Sequence, residues 1–151
     1  MNKPARFEKR KRARRRALQA IYQWQITAQD AREILKQFRE VQDLSQIDEP
    51  YFEQLLYGVT TRKETIDQTL EPFLDRPLSQ VDVMECVVLR MGIWELLYSL
   101  ETPFRVVLDE SVDLAQRFGS EQGHAFVNAV LDHAARELRK DEFKAVDKST
   151  S

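Results

Sequence analysis

Two histidines, one cysteine and 25 carboxylates are the side chains with which this chain could do chemistry. His124 and His133 lie nine residues apart. On one helix that is about two and a half turns, so their rings face opposite sides and cannot share a metal. Cys86 stands among Glu85, Val87 and Val88, and a cysteine in such apolar sequence reads as a small core residue. Being single, it excludes an internal disulfide and suits a reducing compartment. There is no glycine-rich phosphate loop and no G-x-S-x-G turn. The carboxylates are spaced like solvated helix faces. No catalytic residue, metal site or cofactor is expected.

The chemistry lies in the cations instead. Lys9 to Arg16 packs seven Lys or Arg into eight residues. Up to Arg16 the chain carries nine basic residues and one acid, Glu8, a net of +8, whereas residues 17–151 carry 14 basic and 24 acidic residues, a net of -10. Crowded cations repel one another, and a nucleic-acid backbone relieves that cost while releasing its own condensed counterions. A solvated tail is the plain alternative. Two features argue against it. Arg outnumbers Lys in the dense part, and guanidinium forks suit phosphates and base edges. The run also continues in phase into Ala17, Leu18, Ala20, Ile21, Trp24 and Ala28, an apolar face at helical spacing.

The elements that carry these residues all read as helices. Residues 1–7 read as a flexible basic lead, and residues 8–140 as one all-helical RNA-binding domain. The first helix runs from about Glu8 to Ala28. Asp30 caps a second, striped by Ala31, Ile34, Leu35, Phe38 and Val41. A third starts near Pro50, with Phe52, Leu55, Leu56 and Val59 inward, and continues or kinks through Ile66 and Leu70 to Glu71. Pro72 and Pro77 bound a connector. Ser79-x-x-Asp82 reads as a capping box for a fourth helix, apolar on more than one side and therefore central. A fifth runs from Phe104 to Phe118 with Gly119 as a left-handed stop. A last one follows the loop 120–123. From Asp141 to Ser151 the sequence reads as a disordered polar tail. The fold class is all-α, six or seven helices in two stacked sub-bundles, about residues 8–74 and 77–140.

Three aromatics occupy positions from which a ring could stack on an unpaired base. Tyr22 follows the basic run, Phe73 sits in the proline-bounded connector, and Phe126 follows the loop that opens the last helix. Core packing is the competing reading for each. No apolar run approaches the roughly 20 residues of a membrane span. The N-terminus lacks the apolar segment of a secretory signal, so a cytoplasmic protein is expected.

The same stretches resemble the NusB family of bacterial transcription antitermination factors. The resemblance spans about Arg10 to Arg139. It rests on the basic run followed by Ala17-Leu18-Gln19-Ala20-Ile21-Tyr22-Gln23-Trp24, on Leu89-Arg90 and Glu95-Leu96-Leu97, and on Thr102 to Glu110. Leu114 to Ser120 and Phe126-Val127-Asn128-Ala129-Val130-Leu131-Asp132 complete it. It implies a two-bundle helical fold and a non-enzymatic RNA adaptor. Such an adaptor binds boxA single-stranded RNA of ribosomal RNA leader transcripts with NusE, a small-subunit ribosomal protein. Together they join an antitermination complex on RNA polymerase. By position, the resemblance places RNA contacts at Arg10, Lys11, Arg12 and Arg14, and near Tyr22, Phe73 and Phe126. Arg90 and Glu85 fall on the central helix near RNA and partner. Members of the family occur as monomers and homodimers.

The chain departs from the family pattern at Gln122-Gly123, where Asp-Ser is common. It departs again at Ala125, where a basic residue is common, and at Ala129, where Gly is. Two further readings stay open: a helical module whose arm meets an acidic protein, and an accessory domain of an RNA-modifying enzyme with non-specific RNA binding. The second would need a cofactor domain, which this sequence does not contain.

Overall fold

The structure, a computed structural model, describes residues 2–150. The described residues form eight α-helices and two short 3-10 turns and no strand, slightly more helices than the six or seven expected. The chain divides into two compact units, residues 1–63 and 64–151.

The first unit holds α1 (Lys3–Thr27), α2 (Ala31–Val41) and α3 (Glu49–Thr61). The expected flexible lead is largely helical: α1 begins at Lys3, with Asn2 as its cap accepting from the Ala5 N–H at 2.9 Å and a proline in the first turn. Met1 lies outside the described residues. The 25 residues of α1 span roughly 37 Å at 1.5 Å each. Its buried face is Ala13, Arg14, Ala17, Leu18, Ala20 and Ile21. Small residues there let α3 pack closely through Phe52, Leu55, Leu56 and Val59, all fully buried. α1 ends at Ala28, which takes the left-handed φ of 59°. Asp30 caps α2 as expected, accepting from the Arg32 N–H at 2.8 Å. Ile34, Leu35 and Phe38 turn inward, and Phe38 stacks on Phe52 at 5.8 Å. Val41, expected in that stripe, is 82% exposed because the helix ends on it.

The boundary between units falls at residue 63, not in the proline connector. The second unit's helices are α4 (Lys63–Leu70), α5 (Val83–Tyr98), α6 (Phe104–Phe118), α7 (Gly123–Leu138) and α8 (Lys140–Thr150). The periodicity of residues 66–70 suggests a continuation of α3, but α3 closes at Thr61 and α4 is a separate helix. The connector belongs to the second unit because Phe73, in its 3-10 turn, packs edge-on against His133 of α7 with ring centroids 5.0 Å apart. The capping box does not form. Ser79 lies in the other 3-10 turn, and Asp82 itself caps α5, accepting from the N–H groups of Met84 (3.1 Å) and Glu85 (3.2 Å).

α5 is central, as its all-round apolar pattern requires: residues 85–96 are buried without interruption. It packs on α6 and α7. Gly92 makes that approach possible. A Cβ there would lie 2.7 Å from Leu131 Cδ1 and 3.3 Å from Ser111 Oγ, and Leu131 is fully buried with no space to retreat. Gly92→Val is expected to lower unfolding free energy by about 1–2 kcal/mol through overpacking. Urea denaturation measures it, and an unchanged midpoint would contradict this packing.

Two helix ends differ from expectation. Gly119 ends α6 in extended conformation (φ -91°, ψ -171°), not as a left-handed stop. The segment from Asp141, expected as a disordered tail, is helical in α8. Apolar and polar anchors hold it: Phe143 stacks on Phe104 at 4.0 Å. The Glu142 carboxylate accepts from the Phe104 N–H at 3.0 Å, standing in for the side-chain cap that α6 lacks. Ser151 lies outside the described residues.

Candidate nucleic-acid interface

The arm is half of a packed helix, which decides which cations face water. Arg10 and Arg14, one turn apart, both turn toward Tyr51 of α3. Their guanidinium carbons sit 4.1 Å and 5.5 Å from its ring centroid, in cation–π range. Arg10 also meets the Asp48 carboxylate at 3.5 Å, and the Asp48 N–H donates to the Lys9 carbonyl at 3.0 Å. Asp48, which caps α3 by accepting from the Tyr51 N–H at 3.2 Å, therefore fixes the arm to that helix as well. Arg14 is 2% exposed. This corrects its expected role: a guanidinium buried against Tyr51 is a structural cation and not a phosphate contact. Arg10 and Lys11 are half-buried. Arg12 is exposed, its guanidinium donating to the Gln46 carbonyl at 3.4 Å.

Electrostatics make this helix half want an anion. No acid stands in the first turn of α1, and cations at a helix N-terminus oppose the macrodipole. Lys11–Arg15, Arg12–Arg16 and Arg10–Arg14 are like-charge pairs four residues apart, each unfavourable on a helix. The Nε groups of Arg15 and Arg16 are covered and have no hydrogen-bond partner. A polyanion laid along this face offsets all three penalties. Tyr22, beyond the arm, is 38% exposed, as a stacking ring must be.

In the second unit, Phe126 is half-buried on the first turn of α7, and the Arg76 guanidinium lies over its ring at 4.6 Å. Phe73 is half-buried against His133. Arg90, expected near RNA, is 7% exposed and bidentate with Asp67 of α4 at 2.9 and 3.0 Å. That is a second correction: its fork is spent inside the unit. Glu85, expected at a partner surface, is 5% exposed, because it is tucked beneath the start of α7.

Glu85 lines a cleft of about 440 Å³ with Arg76, Gln80, Val81, Asp82, Ser120, Gln122 and Phe126. Its Oε1 accepts from the Ser120 hydroxyl at 2.9 Å, and its Oε2 is buried without a partner. A Cβ on residue 123 would collide with Glu85 Oε1, so only glycine there admits this arrangement. Burial, and then the adjacent Asp82 carboxyl, push the Glu85 carboxyl up from the ordinary range. Contact with the Glu85 side chain holds Asp82 down. A raised acid binds its proton more tightly in the folded chain, so its contribution to stability declines as pH rises from the unfolded value through the folded one. Glu85→Gln is therefore expected to raise the urea midpoint at pH 7, and the gain should fade toward about pH 4, near the unperturbed Glu value. A lower midpoint at pH 7 would show that the carboxylate is not penalised.

Sequence reasoning missed Tyr51, Asp48, Arg76 and Ser120. Their partners here lie 35 to 50 residues away in the chain, so no local spacing signals them. No group of His, Cys, Asp and Glu among the described residues is arranged to hold a metal, and no helix there is long and apolar enough to cross a membrane.

An all-helical chain with a cation-lined first helix and an aromatic-edged cleft defines the class of small nucleic-acid adaptors. The NusB family profile matches residues 11–136, and the chain belongs to the NusB family. It is 49% identical over 137 residues to the transcription antitermination protein NusB of Nitrosococcus oceani, covering 91% of this chain and 92% of that one. It is 50% identical over 133 residues to the NusB of Stenotrophomonas maltophilia, covering 88% and 84%. Among solved structures, T. maritima NusB superposes with a TM-score of 0.78 at 28% identity, covering 89% of this chain and 96% of that one. A chain from a complex of antitermination factors NusB and NusE with double-stranded RNA shares the fold, with a TM-score of 0.70 at 23% identity over 84% and 96%.

Proposed function

We propose that this chain is a cytoplasmic, non-catalytic RNA-binding antitermination factor. It binds boxA-type single-stranded RNA of ribosomal RNA leader transcripts together with NusE, and the pair joins the antitermination complex on RNA polymerase. The observation that carries this reading is the arm itself: seven cations in eight residues on the N-terminal half of one packed helix. Family membership supports it, and so do the relatives named as transcription antitermination proteins.

Lys11 and Arg12, with Arg10 and the half-covered Arg15 and Arg16, supply the affinity, while Tyr22, Phe73 and Phe126 supply base stacking. The acidic remainder of the chain complements a basic ribosomal protein. Titrating labelled boxA and scrambled RNAs at two salt concentrations, with and without NusE, tests the reading. BoxA is expected to bind more tightly, and NusE to strengthen it further.

Arg10→Ala/Lys11→Ala/Arg12→Ala should weaken both RNAs alike. It should also flatten the logarithmic salt dependence by about 0.7 for each phosphate no longer neutralised. A slope equal to the parent's would place the arm outside the interface.

A further inference from the structure

We propose that the Glu85 cleft is a reading pocket for an unpaired guanine of the bound RNA. Glu85 and the Arg76–Phe126 pair are its two recognition elements. This rests on the RNA-binding function proposed for the chain and adds which base is selected, and by which side chains.

The cleft lies wholly within the second unit, between the start of α5 and the loop that leads into α7. Its volume of about 440 Å³ falls in the range of about 300–1,000 Å³ typical of small-ligand sites. Glu85 is more than nine-tenths buried, one oxygen takes the Ser120 hydroxyl, and the other has no partner. A buried polar atom left unpaired in an otherwise satisfied fold marks a place where a ligand group completes the set. The group that completes it must donate, because a carboxylate accepts.

The surroundings narrow the ligand further. Asp82 lines the same cleft, so a phosphate or an edge made only of carbonyls meets two carboxyl groups and is repelled. The Arg76 guanidinium over the Phe126 ring offers a platform, on which a base stacks. Gln80 and Gln122 bring amide groups to the rim, able to donate to a carbonyl. Among the four bases, guanine presents two adjacent N–H donors, N1–H and the N2 amino group, beside one carbonyl, O6. Uracil presents a single N–H between two carbonyls, both of which would face carboxyl oxygens. Adenine and cytosine each offer one amino group beside a ring nitrogen acceptor, so they satisfy Glu85 less completely. Gly123 belongs to the design, since any side chain there would push Glu85 aside.

The test uses the full chain and fluorescence anisotropy with three RNAs: an oligouridine of about ten nucleotides, the same RNA with one central guanosine, and the same with inosine, which lacks the N2 amino group. The guanosine RNA is expected to bind about tenfold tighter than oligouridine, as a well-made base-edge pair does. Inosine should lose most of that gain. The ratio of the guanosine and oligouridine affinities divides out sequence-independent attraction to the arm, and it should fall to about one in Glu85→Gln. Gly123→Ala should lower the ratio in the same way with the carboxyl still present, and circular dichroism of both variants checks that they are folded. Equal binding of guanosine, inosine and uridine RNAs by the parent chain would overturn the proposal. So would a guanosine preference that survives both substitutions. Failure of the parent chain to bind any of the three at low salt would remove the RNA-binding function itself, and the pocket's assignment with it.

Discussion

Arg139→Ala is expected to lower the unfolding free energy by about 3–5 kcal/mol, as loss of a buried charged hydrogen-bond network does. The side chain is 7% exposed. Its Nε donates to the Leu96 carbonyl at 2.8 Å, one terminal nitrogen to the carbonyls of Glu95 (3.1 Å) and Ser99 (3.2 Å), and the other to that of Thr102 (3.0 Å). Three of these carbonyls belong to the last turn and cap of α5, where a helix leaves its acceptors unsatisfied and favours a cation. The same guanidinium pairs with Glu142 at 3.0 Å, and Glu142 caps α6. One side chain thus closes the ends of two helices and anchors α8. At about 2–4 °C per kcal/mol for a chain of this size, the melting temperature should fall by roughly 6–20 °C. Differential scanning calorimetry reads this directly, and a loss under about 1 kcal/mol would mean that water replaces the guanidinium without penalty. Glu142→Gln should cost less, since it keeps an acceptor for the Phe104 N–H.

Arg90→Ala comes next, with an expected loss of about 3 kcal/mol in urea denaturation. Breaking a buried ion pair by removing one partner leaves the other charge uncompensated. Here the Asp67 side chain keeps 22% exposure, so some hydration softens the effect. The loss therefore stays at the low end of the about 3–5 kcal/mol seen for buried pairs. The prediction also separates structure from recognition. If Arg90 only ties α4 to α5, the folded fraction of Arg90→Ala binds RNA with the parent's affinity and the parent's salt slope. A shallower slope with unchanged stability would restore Arg90 to the interface.

Arg14 and Arg90 show how far residue type can be read without neighbours. An arginine in a basic run, or in a stretch that resembles an RNA-binding family, suggests a fork offered to phosphate. In the folded chain both forks face inward, one over Tyr51 and one on Asp67. Arg12, in the same run as Arg14, stays exposed. What separates Arg12 from Arg14 is helical phase against α3. The sequence shows that α1 is helical, yet not which of its faces α3 will cover.

Local signals account for what was legible. The helical period of Ile34, Leu35 and Phe38 predicts the inner face of α2, and the all-round apolar run of residues 85–96 predicts that α5 is central. Asp30 caps the helix expected of it, since a cap needs only the backbone two or three residues on. The charge contrast between arm and remainder follows from counting alone. The long-range contacts were not legible. The polar segment after Lys140 carries no apolar stripe that would mark a packed helix, and it becomes ordered structure because Phe143 and Glu142 find Phe104, 38 or more residues earlier. The Glu85 cleft needs Asp82, Ser120, Gly123 and Phe126 brought together by the packing of α5 on α7. Sequence by itself determined the helices, their polarity and the cationic arm, because these depend on neighbours within a turn or two. Tertiary structure alone decided which cations face water and which are buried, and where an unpaired carboxyl oxygen is held, because those depend on side chains that only folding brings into contact.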